Sequence, residues 1–595
     1  MLDALRRAYA HSVIARVGAR VARWGRRLLE ESLAWSWLTS LPSPPADLWG
    51  GSALGRMLAA GRDWTAAAWA RRDPAGRLPA LAARWATWGL GAIAFLVALV
   101  PFRRQIGPVP LTIEVVLVPL VASLWLLHWA LRSPVEAPRP RTGAAGVRAS
   151  QSAAGRDLAA QGGAPGLTPS RTGLPATTFD LPFALYLAIL ALSLVNARSL
   201  VEGFQTLARQ ASFFLLFYMT VDLLRNRRRE AAWVIDATLA GGLVVALIGL
   251  VQYALGIDLT VSGLAGAGAG SIRGRIGSTQ ENPNFLSEYL ILLIPVALAR
   301  LLAAWRHDLE GPAGSAGQPA HPAPAERGGV RRRRSASLRP AFYGAAVSAM
   351  LVAEFLTYTR GGWLGLAVGV AVFVLLVDTR YLLAVAAVAV GAVGLVPGML
   401  ERLMGLFDFA EGTGAFRLNL YRAAIVMWSR SPWLGVGAGN YLAYYPDVIR
   451  DYPLLDQRFA TYSSHNAFLT VAAETGVLGL AVFLVIVLLA LRVAFAGWRN
   501  GIEAADRLLF LGGGCGMIAF LVQSLSNITF FHPRVALYYW LLLAVLVALL
   551  PTATGTRSTP RPARPATAAR TTRAEGTGSA TDEPYQARRD PARAG

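Results

Sequence analysis

Residues 465–491 read "HNAFLTVAAETGVLGLAVFLVIVLLAL". A histidine and an asparagine open the stretch, and its other residues are apolar or small apart from Thr470, Glu474 and Thr475. At about 1.5 Å of rise per residue, such a run crosses the roughly 30 Å of hydrocarbon in a bilayer. The stretch therefore reads as a membrane helix with His465 at its mouth and Glu474 roughly 13 Å further in. A carboxylate at that depth is costly, and by default it marks a function or a pairing partner. What His465 can do depends on which side of the membrane the mouth faces.

The rest of the chain repeats the pattern. Its 595 residues are 54% hydrophobic with a mean hydropathy of +0.43, too apolar for an ordinary soluble enzyme. Spans are expected near 86–101, 108–131, 179–197, 210–225, 231–254, 284–305, 341–359, 361–378, 381–398, 466–492, 507–527 and 533–551. The expected fold class is an all-α polytopic membrane protein of about twelve transmembrane helices with a large outer loop. The formal net charge of +22 comes entirely from arginine, since the chain has no lysine. These arginines crowd into the segments between spans and accompany no nucleic-acid-binding motif, so the bilayer is the expected partner and nucleic acid is not. A single cysteine, Cys515, excludes an intrachain disulfide and a cysteine-based metal cluster. The arginine-rich start does not have the pattern of a cleavable signal peptide.

Composition divides the chain further. Residues 1–85 carry a basic amphipathic pattern suited to the cytoplasm or the membrane surface, and 86–131 hold the first two spans. Residues 132–177, 306–340 and 552–595 are rich in Pro, Gly, Ala and Arg and read as disordered linker, cytoplasmic loop and cytoplasmic tail. The main membrane domain is expected over 178–551, with its large outer loop at 399–465. Arginine clusters at 225–229 and 331–334, together with both termini, set the cytoplasmic side, while Phe102–Arg104 is a short exception. The outer side of a multi-pass cytoplasmic-membrane protein then receives 256–283, the turn at Arg360, the large loop and a turn near His532. His465 faces outward.

That topology gathers an unusual set of residues. Arg273 and Arg275 precede a span beginning near Asn284, Arg360 stands at a helix junction followed by two glycines, and Arg417 and Arg422 lie in the large loop. Outward arginines run against the positive-inside trend. Converging guanidiniums would suit a pyrophosphate whose lipid tail lies in the bilayer, although a lone arginine at a helix end also snorkels. His465 within reach of such a phosphate could act as general base on an incoming hydroxyl. Glu474, Glu354 and Glu288 are expected to pair with arginines or to orient helices, and Gly476 and Gly479 to allow close helix packing. The loop tyrosines suit sugar rings and an interfacial belt equally.

These residues resemble the O-antigen ligase and polymerase superfamily. The ligase-type pattern of His, Asn, nine residues, Gly, two residues and Gly is met by His465, Asn466, Gly476 and Gly479. Similar too are Arg275 with Gly277 and Asn282–Pro283–Asn284, the helix start Thr359–Arg360–Gly361, and the segment Pro432–Asn440. The likeness covers roughly residues 180–550, and the spacing of "GSTQENPN" leaves Arg273 as an alternative to Arg275. The resemblance implies a membrane glycosyltransferase related to the GT-C class. It would take a glycan from undecaprenyl pyrophosphate to an acceptor hydroxyl without metal or other cofactor, the acceptor being a glycolipid, glycan or protein. His465, Arg360 and Arg275 would be catalytic, and Arg273, Arg417, Arg422, Asn284 and Asn466 substrate-binding. A repeat-unit polymerase, a protein O-oligosaccharyltransferase and, from another class, a small-anion transporter remain alternatives.

Overall fold

A computed structural model describes residues 32–42, 47–73, 75–101, 103–106, 109–132, 173–257, 275–280, 282–310, 338–379, 391, 412–452 and 463–550. All of these belong to the first of two compact units, Met1–Ala553; the second is Thr554–Gly595. The described residues are nearly all helical. Three amino-terminal helices, α1 (Leu33–Thr39), α2 (Leu48–Gly51) and α3 (Ala53–Ala70), lead into α4 (Arg77–Leu99). A short antiparallel hairpin of β1 (Arg103–Ile106) and β2 (Val109–Thr112) joins α4 to α5 (Ile113–Leu131). Then come α6 (Asp180–Ser193), α7 (Leu200–Leu224), α8 (Arg228–Leu255), α9 (Pro283–Glu310), α10 (Leu338–Leu356) and α11 (Arg360–Val377). The series closes with α12 (Gly412–Arg430), α13 (Tyr441–Asp451), α14 (Ala467–Asn500), α15 (Ala504–Ser524) and α16 (Pro533–Leu549).

Eight of these helices, α4, α5, α7, α8, α9, α11, α14 and α15, are long and apolar enough to cross a bilayer. α6 with its terminal turn, and α16, are apolar but shorter. Eleven of the twelve expected spans thus have a helix in place, and the twelfth, 381–398, lies outside the described residues apart from Gly391. Several boundaries differ from expectation: α7 starts at Leu200, ten residues before position 210, and α14 runs to Asn500, eight past position 492. α4 starts nine residues before position 86, because an amphipathic helix continues past the end of an apolar run, with Arg84 exposed and Ala82, Ala83 and Ala86 buried. The span expected from 108 starts instead at Ile113, since 109–112 pair as β2. Of the expected loop at 306–340, the first residues continue α9 to Glu310 and the last begin α10; 311–337 lie outside the described residues.

α9 and α15 are the central pair, and glycines set how closely their neighbours approach. A Cβ on Gly365 or Gly369 of α11 would lie 2.5 Å from Ala519 O and 2.7 Å from Cys515 O of α15. Small residues four apart make a flat stripe, and without side chains in the way the two backbones meet. α16 is buried along its whole length, packed on α7 and α15 through aromatic contacts such as Phe214–Trp540 and Phe520–Tyr539. Between the two ends lies an apolar core running through α4, α8, α9, α14 and α16.

Candidate functional site

One end of the bundle collects helix starts and stops: the start of α9, the break between α10 and α11, the mouth of α14 and the turn after α15. The first turns of α9 organise it. Asn284, Ser287 and Glu288 are three and four residues apart, so they share one helix face. Asn284 Oδ1 accepts from Arg275 Nη2 at 3.1 Å, and Ser287 Oγ donates to Glu354 Oε1 of α10 at 2.7 Å. Glu288 Oε1 accepts from Asn527 Nδ2 in the turn after α15. Arg275 also donates through Nε to Thr357 O (2.8 Å) and through Nη2 to Thr359 Oγ1 (3.3 Å), which locks the guanidinium beside the residue preceding Arg360. The break there is real. Tyr358 has φ +52°, and α11 begins at Arg360 with Trp363 N donating to Thr359 O. Gly361 and Gly362 let that start approach closely, since a Cβ on them would collide with Ser526 Oγ and Ser287 Oγ.

His465 sits immediately before α14 with φ +54°, a conformation non-glycine residues adopt rarely and often at functional positions. Its Nδ1 lies 3.2 Å from Asn527 Oδ1. Arg417 on α12 is within electrostatic reach of both Arg360 and His465. Burial, and then the Arg417 charge, push the imidazole down to about 4, against a weaker opposing hydrogen bond to Asn527. Arg417 itself is lowered by burial first and by Arg360 after. Arg417 thus interacts electrostatically with both Arg360 and His465, and Arg275 is fixed at the junction beside Arg360. Arg422 is exposed and forms no hydrogen bond or ion pair among the described residues, and Arg273 lies outside them.

Other expected residues take structural positions. Asn466 caps α14, its Oδ1 accepting from Leu469 N at 3.0 Å, while its Nδ2 donates to Leu525 O at 3.0 Å. It ties the His465 mouth to the turn that carries Asn527. Glu474 was expected to pair with an arginine or to orient a helix; its hydrogen bonds come from the N–H groups of Gly439 (2.9 Å) and Tyr441 (3.3 Å), with Arg209 nearby. Gly476 does more than allow packing. It breaks α14 with φ +66° and ψ −167°. The break opens Ala473 O and Glu474 O to Val436 N (2.9 Å) and Gly437 N (3.0 Å), and Val477 N to Pro432 O (2.8 Å). A Cβ at 476 would collide with the Trp433 carbonyl. Gly479 instead faces the Thr475 side chain of its own helix. The spacing of His465 and Gly476 thus clamps the Pro432–Asn440 segment to α14, and Asn440 anchors its far side to Ser199.

Sequence reasoning missed Asn527, Ser287 and Thr357, and Gln523, whose Nε2 donates to Asn284 O at 3.4 Å. Their one signal was polarity at the ends of apolar runs, as in "QSLSN" (Gln523–Asn527). Among the described residues no three His, Cys, Asp or Glu side chains come together as metal ligands would.

A nearly all-helical bundle with several helices fit to span a bilayer defines a multi-pass membrane protein. Residues 345–484 match the family model described as O-antigen ligase, a segment that runs from α10 into α14 and includes Arg360, Arg417 and His465. The match supports the likeness to the O-antigen ligase and polymerase superfamily, a family whose chemistry implies a lipid-linked glycan donor in a membrane setting. Arg275, Glu288 and Asn527 lie outside the matched segment. No curated protein matches the chain.

Proposed function

We propose that the protein transfers a glycan from undecaprenyl pyrophosphate to an acceptor hydroxyl at the outer face of the cytoplasmic membrane, as an O-antigen ligase. The observation that carries this reading is the coupling of Arg417 to both Arg360 and His465, with Arg275 held at the same helix junction. Guanidiniums placed around one point match a pyrophosphate and stabilise the charge it gains on leaving. His465 is neutral at physiological pH and can accept a proton there.

In the proposed step the acceptor oxygen forms a bond to the anomeric carbon as its proton passes to His465. The bond from that carbon to the phosphate oxygen breaks, and its electron pair leaves with the lipid pyrophosphate beside Arg275, Arg360 and Arg417. No step needs a metal or a further reactant. The surroundings of the site support a donor entering from the bilayer, because the apolar helices α9, α11 and α14 all start at it.

Gene deletion followed by sizing of the glycans on undecaprenyl pyrophosphate tests the assignment. Long polymerised chains stranded on the lipid are the expected result. Single repeats would replace the ligase reading with a polymerase, and an unchanged lipid-linked pool with an intact surface glycan would overturn both.

A further inference from the structure

Behind His465 stands a two-residue relay that the proposed chemistry leaves unused. Asn527 is 2% exposed and Glu288 is fully buried, and they come from separate elements, the turn after α15 and the second turn of α9. Asn527 Nδ2 donates to Glu288 Oε1, so its Oδ1 is turned toward His465 Nδ1, 3.2 Å away. The other Glu288 oxygen, Oε2, has no hydrogen-bond partner among the described residues. The turn carrying Asn527 is held from three sides. Asn466 Nδ2 and Tyr421 OH both donate to Leu525 O, and the hydroxyls of Ser524 and Thr529 bond to each other.

We infer that Glu288, acting through Asn527, sets the tautomer of His465 and keeps its Nε2 available as the base. An amide has a donor end and an acceptor end, and which one faces the histidine decides which ring nitrogen holds the proton. Glu288 Oε1 accepts from Asn527 Nδ2, so the carboxyl holds the NH₂ end of the amide. The amide oxygen is left for the imidazole, whose Nδ1 must then donate. The Nε2 lone pair is the one that remains. When the ring takes a second proton, the positive charge forms against an oxygen whose dipole Glu288 has already oriented. Glu288 and Asn527 touch no substrate in this scheme; they are positioning residues. The inference rests on His465 acting as the base.

The test uses the full-length protein in lipid nanodiscs with ¹⁵N-labelled histidine, the His465 signals being those lost in His465→Ala. In the parent protein His465 is expected to be neutral with its proton on Nδ1. Glu288→Gln keeps the volume but lets the two amides reverse. The Nδ1–H population should fall, and kcat for glycan transfer should drop about 10²-fold, as for a misdirected general base. KM for the lipid-linked donor should stay within about twofold. Adding Asn527→Asp to Glu288→Gln exchanges acid and amide along the relay. The new amide at 288 donates to the new carboxylate at 527, which again accepts only from Nδ1–H, so both the tautomer and kcat should recover to within about fivefold of the parent.

A Glu288→Gln protein with unchanged tautomer and kcat would overturn the inference. So would a loss of kcat that the exchange does not repair, since a purely structural role predicts that the double variant is the worse of the two. If the tautomer responds as expected while His465→Ala still transfers glycan at the parent rate, the relay stands and the general-base reading of His465 falls.

Discussion

The buried groups around His465 treat their charges differently from the ion pairs elsewhere in the chain, which include Arg198–Asp447 and Arg430–Asp451 on α13. In such pairs, acids and arginines are joined to each other. Arg300 Nη2 meets Asp236 at 2.9 Å with Tyr343 OH on both, Arg132 meets Asp222 at 3.0 Å, and Arg228 bridges Asp506 at 2.8 Å and Glu503. At the His465 end the three buried glutamates take hydrogen bonds from neutral donors: Asn527 on Glu288, Ser287 on Glu354, and two backbone N–H groups on Glu474. Arg275 there donates to a carbonyl, an amide and a hydroxyl oxygen. A guanidinium matched by a carboxylate has little field left for a ligand, whereas one held by neutral oxygens keeps its full charge in place. The first arrangement holds helices together, and the second is the one the proposed pyrophosphate site draws on.

The sharpest way to break that contrast is His465→Ala. Transfer should fall by about 10²- to 10⁴-fold, the range for a lost general base, while binding of the lipid-linked donor persists because the arginines are untouched. A transfer assay with purified donor, run beside a donor-binding measurement, separates the two. Near-normal transfer would remove His465 from the chemistry and leave the arginine cluster as a binding site alone.

His465 and its arginines could be read in the sequence because each departs from an expectation that hydropathy creates. A histidine opens an apolar helix, and arginines stand where the charge bias disfavours them. Asn527, Ser287 and Gln523 were invisible for the opposite reason, since polar residues at the ends of apolar runs are ordinary. Only the fold shows that Asn527 meets a histidine 62 residues earlier and a glutamate 239 residues earlier. The helices themselves were legible through long apolar runs, which explains why α8 and α15 fall near their expected places. The break at Gly476 was not. A glycine in a helical pattern carries no mark of whether it packs against a neighbour or interrupts the backbone, and here the backbone of Pro432–Leu434 decides it. The hairpin at β1 and β2 was hidden by the apolar stretch that continues from it into α5.

A finer probe of the site end is its pH response. In the proposed mechanism neutral imidazole is the active form, so protonation on the acid side removes activity. Burial and the Arg417 charge both disfavour the protonated form and push His465 down to about 4. The acid limb of kcat/KM, which reports the free enzyme, should therefore fall near pH 4 and not near the ordinary histidine value of about 6.5. Arg417→Gln removes the cation while Asn527 and Glu288 still face the ring. The limb should move upward toward neutrality by up to about one pH unit, with burial retaining the rest of the depression. A limb that stays in place would mean that Arg417 does not act on His465 and that the cluster is looser than its geometry indicates.

The smallest effect belongs to one of the ion pairs, and it is the control on which the comparison depends. Asp236→Asn removes one partner of Arg300 but leaves Tyr343 OH, which receives the Arg300 guanidinium at 2.8 Å. Asp236 is 37% exposed and Arg300 15%, so water compensates part of the loss. The expected cost is about 1 kcal/mol of stability, seen as a small fall in the thermal midpoint in detergent. Glycan transfer should remain within about twofold of the parent, because a pair that neutralises itself projects little field along α8 and α9 to the residues around His465. Should Asp236→Asn instead depress kcat as His465→Ala does, the pair and the site are coupled through those helices. The difference in how they treat charge would then be a difference of degree within one network, and the arginines around His465 would owe their position to the ion pairs elsewhere.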